Sequence, residues 1–181
     1  MAGTTDRNVT LGYRYGGDLA QGTWLPPLTA VGATVVQVAE APIGAIMTGI
    51  RVIENTANAA HAGRETNTWT IASGQQRDIA VMVKAFGRTK GWIFISTSDA
   101  GANRAGVDYD LTARTVVNHV QGAGAIIGVP TITPVGNGWF YITFSAKQNG
   151  GDLTSLLVMR LADNAGTLTY LGDGMSGAAY Y

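Results

Sequence analysis

Short apolar runs alternate with glycine-rich turns at nearly even spacing between residues 78 and 170, and this regularity constrains the fold more than any other feature. The runs occupy residues 78–86, 92–97, 107–110, 115–120, 139–145 and 155–161. The turns between them include 87–91, 99–103, 136–138 and 149–152. Many short strands with regular turn signals are typical of a β-sandwich or barrel. The pattern therefore predicts an all-β protein with less than about a tenth of its residues in helix.

Within the runs, apolar residues alternate with other residues at a period of two, which predicts strands with one buried face. Such a face packs against a second sheet, so we predict an antiparallel two-sheet jelly-roll β-sandwich. The predicted core residues are Phe140, Ile142, Phe144, Leu157, Met159, Leu161, Val81 and Val83. Further strands are predicted at 33–38, 46–53 and 66–71, and at most one helical turn in the alanine-rich stretch 57–62.

Composition narrows the classes of function. The chain has 12 basic and 12 acidic residues, so its formal net charge is zero, and no cluster of Lys or Arg stands out. This argues against nucleic-acid partners and against electrostatic binding to a membrane. With no cysteine, disulfides, zinc–thiolate sites and cysteine nucleophiles are excluded. The first residues lack a signal-peptide pattern, and no apolar run approaches the ~18 residues of a membrane span. We expect synthesis in a cytoplasm without export by the usual route.

The length of 181 residues fits one domain with an appended segment. Residues 1–17 contain little apolar mass and end in a Gly-Gly break, so we predict an N-terminal arm at 1–17 and a sandwich at 18–181. The composition of this arm is compatible with two alternatives, docking on a neighbouring subunit or an unattached terminus.

Signals for catalysis and for metal binding are weak. No nucleophile elbow, phosphate-binding loop or paired glutamates are present in the sequence, which predicts a protein that is not an enzyme. Asp108 and Asp110 share a strand face about 7 Å apart, a spacing that also suits the capping of a strand end. Asp163 and Asp173 could supply oxygens to calcium, but Gly-Asp-Gly at 172–174 is more typical of a turn. No metal or cofactor is expected.

Five sequence pieces in a fixed order carry a resemblance to a known family. They are Val-Lys-Ala at 83–85 before a Gly-Arg turn, Trp92 opening a strand, Val-Asp-Tyr-Asp-Leu at 107–111, Gly-Asn-Gly-Trp-Phe-Tyr at 136–141 and Gly-Asp-Gly-Met-Ser-Gly at 172–177. This order resembles the concanavalin-like or carbohydrate-binding-module jelly roll of tailed-phage virion proteins, across residues 18–178. That family usually adds one more strand after the Gly-Asp-Gly turn. We therefore expect a shortened final strand, or one supplied by residues 9–13 or by a neighbour. A shortened strand would leave an open sheet edge, which a neighbouring subunit could cover.

Sugar binding by a β-sandwich requires a flat aromatic surface beside polar groups that bind hydroxyls. The aromatic candidates are Trp92 and Tyr109, with Asn103, Arg104, Asp108 and Asp110 as polar neighbours. The alternative for Trp92 is packing in the core. If the two aspartates face outward, strand alternation places Tyr109 inward.

Two functions from different classes remain open. The first is a phage virion structural protein, such as a capsid decoration, head-fibre or tail-associated subunit that also aids adhesion to the host surface. It would be a homo-oligomer, with a trimer favoured, attached to capsid or tail proteins and in contact with cell-surface glycans. The second is a free-standing carbohydrate-binding module or lectin. An export signal or an attached catalytic domain would favour the second function.

Overall fold

The computed structural model describes residues 28–38, 49–65, 69–71, 74–96, 103–149 and 153–181. Across these ranges the backbone forms strands and turns, with no helix and therefore none that could cross a membrane. The strands are β1 (Leu28–Val31), β2 (Ala33–Val38), β3 (Gly49–Glu54), β4 (Asn58–Ala60), β5 (Ala62–Glu65), β6 (Trp69–Ile71), β7 (Gln76–Phe86), β8 (Lys90–Ser96), β9 (Arg104–Asp110), β10 (Thr115–Gln121), β11 (Gly124–Gly136), β12 (Trp139–Gln148), β13 (Leu153–Ala162), β14 (Thr169–Leu171) and β15 (Gly177–Tyr180). The predicted arm at 1–17 lies outside the described residues.

Two large sheets face each other. The first sheet has the strand order β1-β5-β13-β8-β9-β10, and β6 pairs with the end of β13. The second sheet has the order β11-β12-β7-β15-β3-β2, and β4 with β14 forms a separate two-stranded ribbon. Every ladder between these strands is antiparallel. The predicted antiparallel two-sheet β-sandwich is therefore confirmed.

The core lies between the two sheets and is formed by the strand faces that the alternation predicts. Seven of the eight predicted residues are buried, and they belong to one cluster with Ile93 and Val107 of the first sheet. The exception is Phe140, which is partly buried and packs against that cluster. It lies beside the 136–138 turn, at the end of the ladder between β12 and β7, where fewer neighbours cover it.

Strand β11 was not predicted, because Pro130 and Pro134 interrupt its apolar residues. The strand lies at the edge of the second sheet, and its register with β12 shifts between Ile127 and Thr131. A proline has no backbone N–H to donate, so it is tolerated at an edge or a bulge. The stretch 57–62, for which at most one helical turn was predicted, has none, because residues 58–60 form β4 and pair with β14.

Strand β15 lies in the interior of the second sheet, between β3 and β7. Residues 177–180 pair with β3, and 178–180 also pair with β7. Both hydrogen bonds between Tyr181 and Met82 extend the second ladder by one residue. The expectation of an open sheet edge at the final strand is therefore wrong, since both sides of β15 are paired.

A polar cluster, which we call the Glu54 cluster, joins the small ribbon to the second sheet. The Glu54 side chain is buried, and its two oxygens accept hydrogen bonds from Arg88, the Tyr170 hydroxyl and the Asp173 backbone N–H. Although burial raises the pKa of Glu54, these hydrogen bonds outweigh it and hold the pKa below its ordinary value. The cluster connects the end of β3, the turn after β7 and the turn after β14 through one carboxylate.

Candidate functional site

The outer face of the first sheet carries the largest group of the predicted site residues. In the strand register, Trp92 of β8 lies between Arg160 of β13 and Asp108 of β9. In the neighbouring row, Phe94 pairs with Gly106, which pairs in turn with His119 of β10. We call this surface the aromatic–basic face, and its members are Trp92, Phe94, Arg104, Asp108, His119 and Arg160.

Gly106 allows this face to be compact. A Cβ atom built on Gly106 would lie 2.3 Å from the Phe94 Cβ and 2.1 Å from the Ile93 backbone oxygen. No side chain fits at that distance, so the glycine lets β9 approach β8 closely. Because Gly106 has no side chain, the rings of Phe94 and His119 on its two sides come close together, with centroids 6.4 Å apart.

Trp92 is half-buried and forms the centre of the face. The His119 imidazole stacks on the indole with ring centroids 3.8 Å apart and planes inclined by 37°. The guanidinium groups of Arg104 and Arg160 lie 5.9 Å and 5.7 Å from the indole centroid, within the range of cation–π attraction. Because the imidazole covers part of the ring, Trp92 is a partly shielded aromatic surface flanked by two cations.

Asp108 and His119 face each other across β9 and β10. Asp108 Oδ1 lies 3.2 Å from His119 Nδ1, and burial raises the pKa of the Asp108 carboxyl to about 6. Burial and then the positive charges of Arg104 and Arg160 lower the pKa of His119. At neutral pH the contact therefore joins an ionised carboxylate to a neutral imidazole, and the two arginines of the face outnumber its one negative charge.

We expect Asp108→Asn to raise the free energy of unfolding at mildly alkaline pH by about 1 kcal/mol. The raised pKa means that folding favours the protonated carboxyl. This stabilisation is complete below the ordinary pKa of 3.8 and is lost as pH rises through about 6. The side chain is 35% exposed, so solvent screening reduces the effect.

Urea unfolding at alkaline and acidic pH measures the difference in stability between Asp108→Asn and the wild type, and the advantage of the variant should shrink in acid. The matched change Asp78→Asn, at an exposed carboxyl, serves as control. A less stable Asp108→Asn variant at alkaline pH would contradict the prediction.

Tyr109 does not belong to this surface. Its side chain is 2% exposed on the inner face of the first sheet, and its hydroxyl is 2.9 Å from the Tyr180 hydroxyl in the second sheet. The alternation argument that placed Tyr109 inward is confirmed. We therefore remove it from the candidate ligand-binding residues, because a ligand on the outer face cannot reach a ring between the sheets.

Asn103 and Asp110 lie at the two ends of β9 and stabilise turns. The Asn103 side-chain oxygen accepts a hydrogen bond of 2.8 Å from the Ala123 backbone N–H. One oxygen of Asp110 accepts bonds from the backbone N–H groups of Thr112 and Ala113, and the other lies 3.3 Å from Lys90 Nζ. The structure thus brings together Trp92, Arg104 and Asp108 of the predicted set, with Asn103 and Asp110 at the margins.

The residues proposed for calcium binding form turns instead. Asp163 accepts hydrogen bonds within its own turn, from the backbone N–H of Thr167. Asp173 accepts them from the backbone N–H groups of Met175 and Ser176. Among the described residues no three His, Asp or Glu side chains converge as metal ligands. His61 is buried, with its ring nitrogens against the backbone oxygens of Gly32 and Tyr170.

Arg160, His119 and Phe94 are residues of the face that the sequence reasoning missed. Arg160 ends the outward-facing set of β13, and its charge at that position is the signal that could have identified it. His119 and Phe94 carry no sequence signal, because their proximity depends on the pairing of β10 with β9 and of β9 with β8.

Comparison with known proteins identifies no family. No protein-family profile matches the chain, and no curated protein matches its sequence. Among solved structures, it is similar to the crystal structure of the enzymatically active domain of bacteriophage CBA120 tailspike protein 4. The TM-score is 0.46 and the identity 15%, over 86% of this chain and 18% of that chain. A likeness of this degree assigns no activity to the chain.

The description of that tailspike domain nevertheless bears on one expectation. The sequence predicted a protein that is not an enzyme, whereas the similar structure is an enzymatically active domain. The comparison contradicts the prediction, and we withdraw it.

Proposed function

We propose that this protein is a virion-associated β-sandwich of a phage, a capsid decoration, head-fibre or tail-associated subunit, that binds glycans on the outer face of its first sheet. The observation that carries the glycan-binding part is the aromatic–basic face. It combines an indole with polar groups that can bind hydroxyls, on a rigid sheet. The virion part is supported by the ordered sequence pieces that resemble phage jelly rolls, from Val83 to Gly177.

A free-standing carbohydrate-binding module or lectin is the second candidate, because the same face would serve it equally. The location of the protein distinguishes the two. Antibody labelling of purified phage particles, viewed by electron microscopy, should mark a fixed position on the particle if the protein is a virion subunit. Protein found only in the soluble fraction would favour the free lectin.

Trp92→Ala should weaken glycan binding at least about tenfold, since an aromatic contact contributes on the order of 1 kcal/mol beyond buried area. The measurement is a glycan array followed by titration of the best ligand. Tyr141→Ala is the matched control. Its ring lies on the outward-facing side of β12 in the second sheet, so its loss should leave binding unchanged. Unchanged affinity in Trp92→Ala would indicate that the indole only packs against Phe94 and Val158.

Self-association and attachment to capsid or tail proteins remain part of the proposal. The open edge at β15 no longer supports them, but other exposed surface does. Along β10 and β11, which end the two sheets, four apolar side chains are exposed: Val117, Val120, Ile127 and Val129, the last to 88%. Light scattering of the full chain across a concentration series is the direct measurement, with a trimer as the expected species and a monomer throughout as the contrary result.

A further inference from the structure

A groove of about 310 Å³ opens beside the aromatic–basic face, on the same side of the first sheet. Three arginines from three different strands contribute to its walls: Arg64 of β5, Arg104 of β9 and Arg160 of β13. Its remaining lining residues are Val31, Ala60, Ala62 and Val158. None of the residues that line it in the described part of the chain is acidic. The groove thus combines an apolar floor with convergent positive charge.

This positive charge is local, because the whole chain has a formal net charge of zero. Among the described members of the aromatic–basic face, Asp108 is the acidic one, and its Oδ1 lies 3.2 Å from His119 Nδ1. The charges of Arg104 and Arg160 also act on their surroundings, since they lower the pKa of His119 after burial has done so. An anion that enters the groove therefore meets an attractive field.

Neighbouring rings hold the guanidinium of Arg104 in place. It lies 5.6 Å from the Phe94 centroid as well as near Trp92. Its Nε atom is buried and has no hydrogen-bond partner among the described residues. A buried N–H without an acceptor is costly, so a ligand oxygen that accepts from it would gain more than at an exposed site. Planar guanidinium groups bind carboxylates and phosphates through paired hydrogen bonds.

We propose that this groove binds the acid group of an anionic saccharide, with Arg104 as the principal contact and Arg64 and Arg160 as flanking cations. The inference rests on the proposed glycan-binding function and specifies its ligand class. The half-buried Val31 and Ala60 of the lining face the sugar ring, while the arginines bind a carboxylate or a phosphate carried by that sugar. The groove then distinguishes acidic from neutral glycans by their charge.

The test uses the full chain and calorimetric titration with oligogalacturonate and with its methyl ester, in which the same sugar carries no charge. We expect the acid to bind at least about tenfold more tightly than the ester, with an affinity that falls as salt rises. Glucose 1-phosphate serves as competitor. Competition would support phosphate as well as carboxylate recognition, and its absence would support carboxylate alone.

Arg104→Gln should remove most of the preference for the acid, and Arg104→Lys should restore part of it as a point charge without the planar fork. Arg77→Gln, which removes the same charge from an arginine at the start of β7, is the matched control and should bind like the wild type. Circular dichroism verifies that each variant is folded. Equal binding of acid and ester, or a preference unchanged in Arg104→Gln, would overturn the inference while glycan binding stands. A chain that binds no saccharide on a broad array would overturn both.

Discussion

Glu54→Gln should lower the free energy of unfolding by about 3 kcal/mol, because it leaves Arg88 as a charge without its main partner. Arg88 is 14% exposed, and both its Nε and Nη2 atoms donate to the Glu54 carboxylate. An amide keeps one oxygen, so its NH2 group replaces the acceptor of either the Tyr170 hydroxyl or the Asp173 backbone N–H. Asp173 Oδ2, 3.6 Å from Arg88, compensates in part, so the expected loss is at the lower end for a broken buried pair.

Urea unfolding at neutral pH measures this loss, and its pH dependence provides a second check. The lowered pKa of Glu54 means that its stabilisation is present above the ordinary value of 4.5 and is lost as pH falls through the lower folded-state value. The variant and the wild type should therefore converge in acid. Asp78→Asn, at an exposed carboxyl whose hydrogen bonds from Gln76 and Ser145 an amide oxygen can still accept, should change stability by less than about 0.5 kcal/mol. A Glu54→Gln variant as stable as the wild type would show that the cluster is dispensable.

Phe144→Ala should cost about 3–5 kcal/mol, because it opens a cavity where the two sheets pack. Phe144 is 4% exposed on the inner face of β12 and belongs to the main core cluster with Ile79 and Leu157. A packed sandwich cannot collapse easily into such a space, since strand pairing fixes the position of every neighbour. Thermal or urea unfolding, with the two-state assumption tested by two probes, gives the value.

Phe86→Ala is the matched control for this substitution. This substitution removes the same ring from the end of β7, where Phe86 is 44% exposed. The Arg51 guanidinium lies over the ring, with its Cζ atom 3.5 Å from the ring centroid. Its loss should cost about 1 kcal/mol or less, the range of an exposed cation–π contact. Similar losses in the two variants would mean that the inner and outer faces of the second sheet are wrongly assigned.

The sequence was sufficient for the fold because sheet burial follows a period of two. In Trp139–Gln148, Ile142 and Phe144 face inward, and the same rule placed Tyr109 in the core. Strand β11 escaped this rule because its prolines and its bulge break the alternation. The interior position of β15 could not be derived either, since four small or aromatic residues carry no information on which strands they join.

The candidate site was predictable only within single strands. Trp92, Arg104 and Asp108 could be named from the turn-rich stretch that contains them, but their mutual positions depend on strand register. Arg64 and Arg160 reach the same groove from strands that are far apart in the sequence and adjacent in the sheet. A surface built across strands in this way has no contiguous sequence signature. The three arginines are scattered along a chain of zero net charge, so the sequence could not predict that they lie together.

The interior position of β15 also has a consequence for the order of folding. Strands β3 and β7 do not pair with each other, and the strand that joins them comes about a hundred residues later in the sequence. Until residues 177–180 insert, the second sheet consists of two separate halves with unpaired backbone groups facing a gap. Closure of such a long chain segment is entropically slow, which is typical of proteins dominated by distant contacts. We therefore expect the second sheet to be completed only when this one short strand inserts.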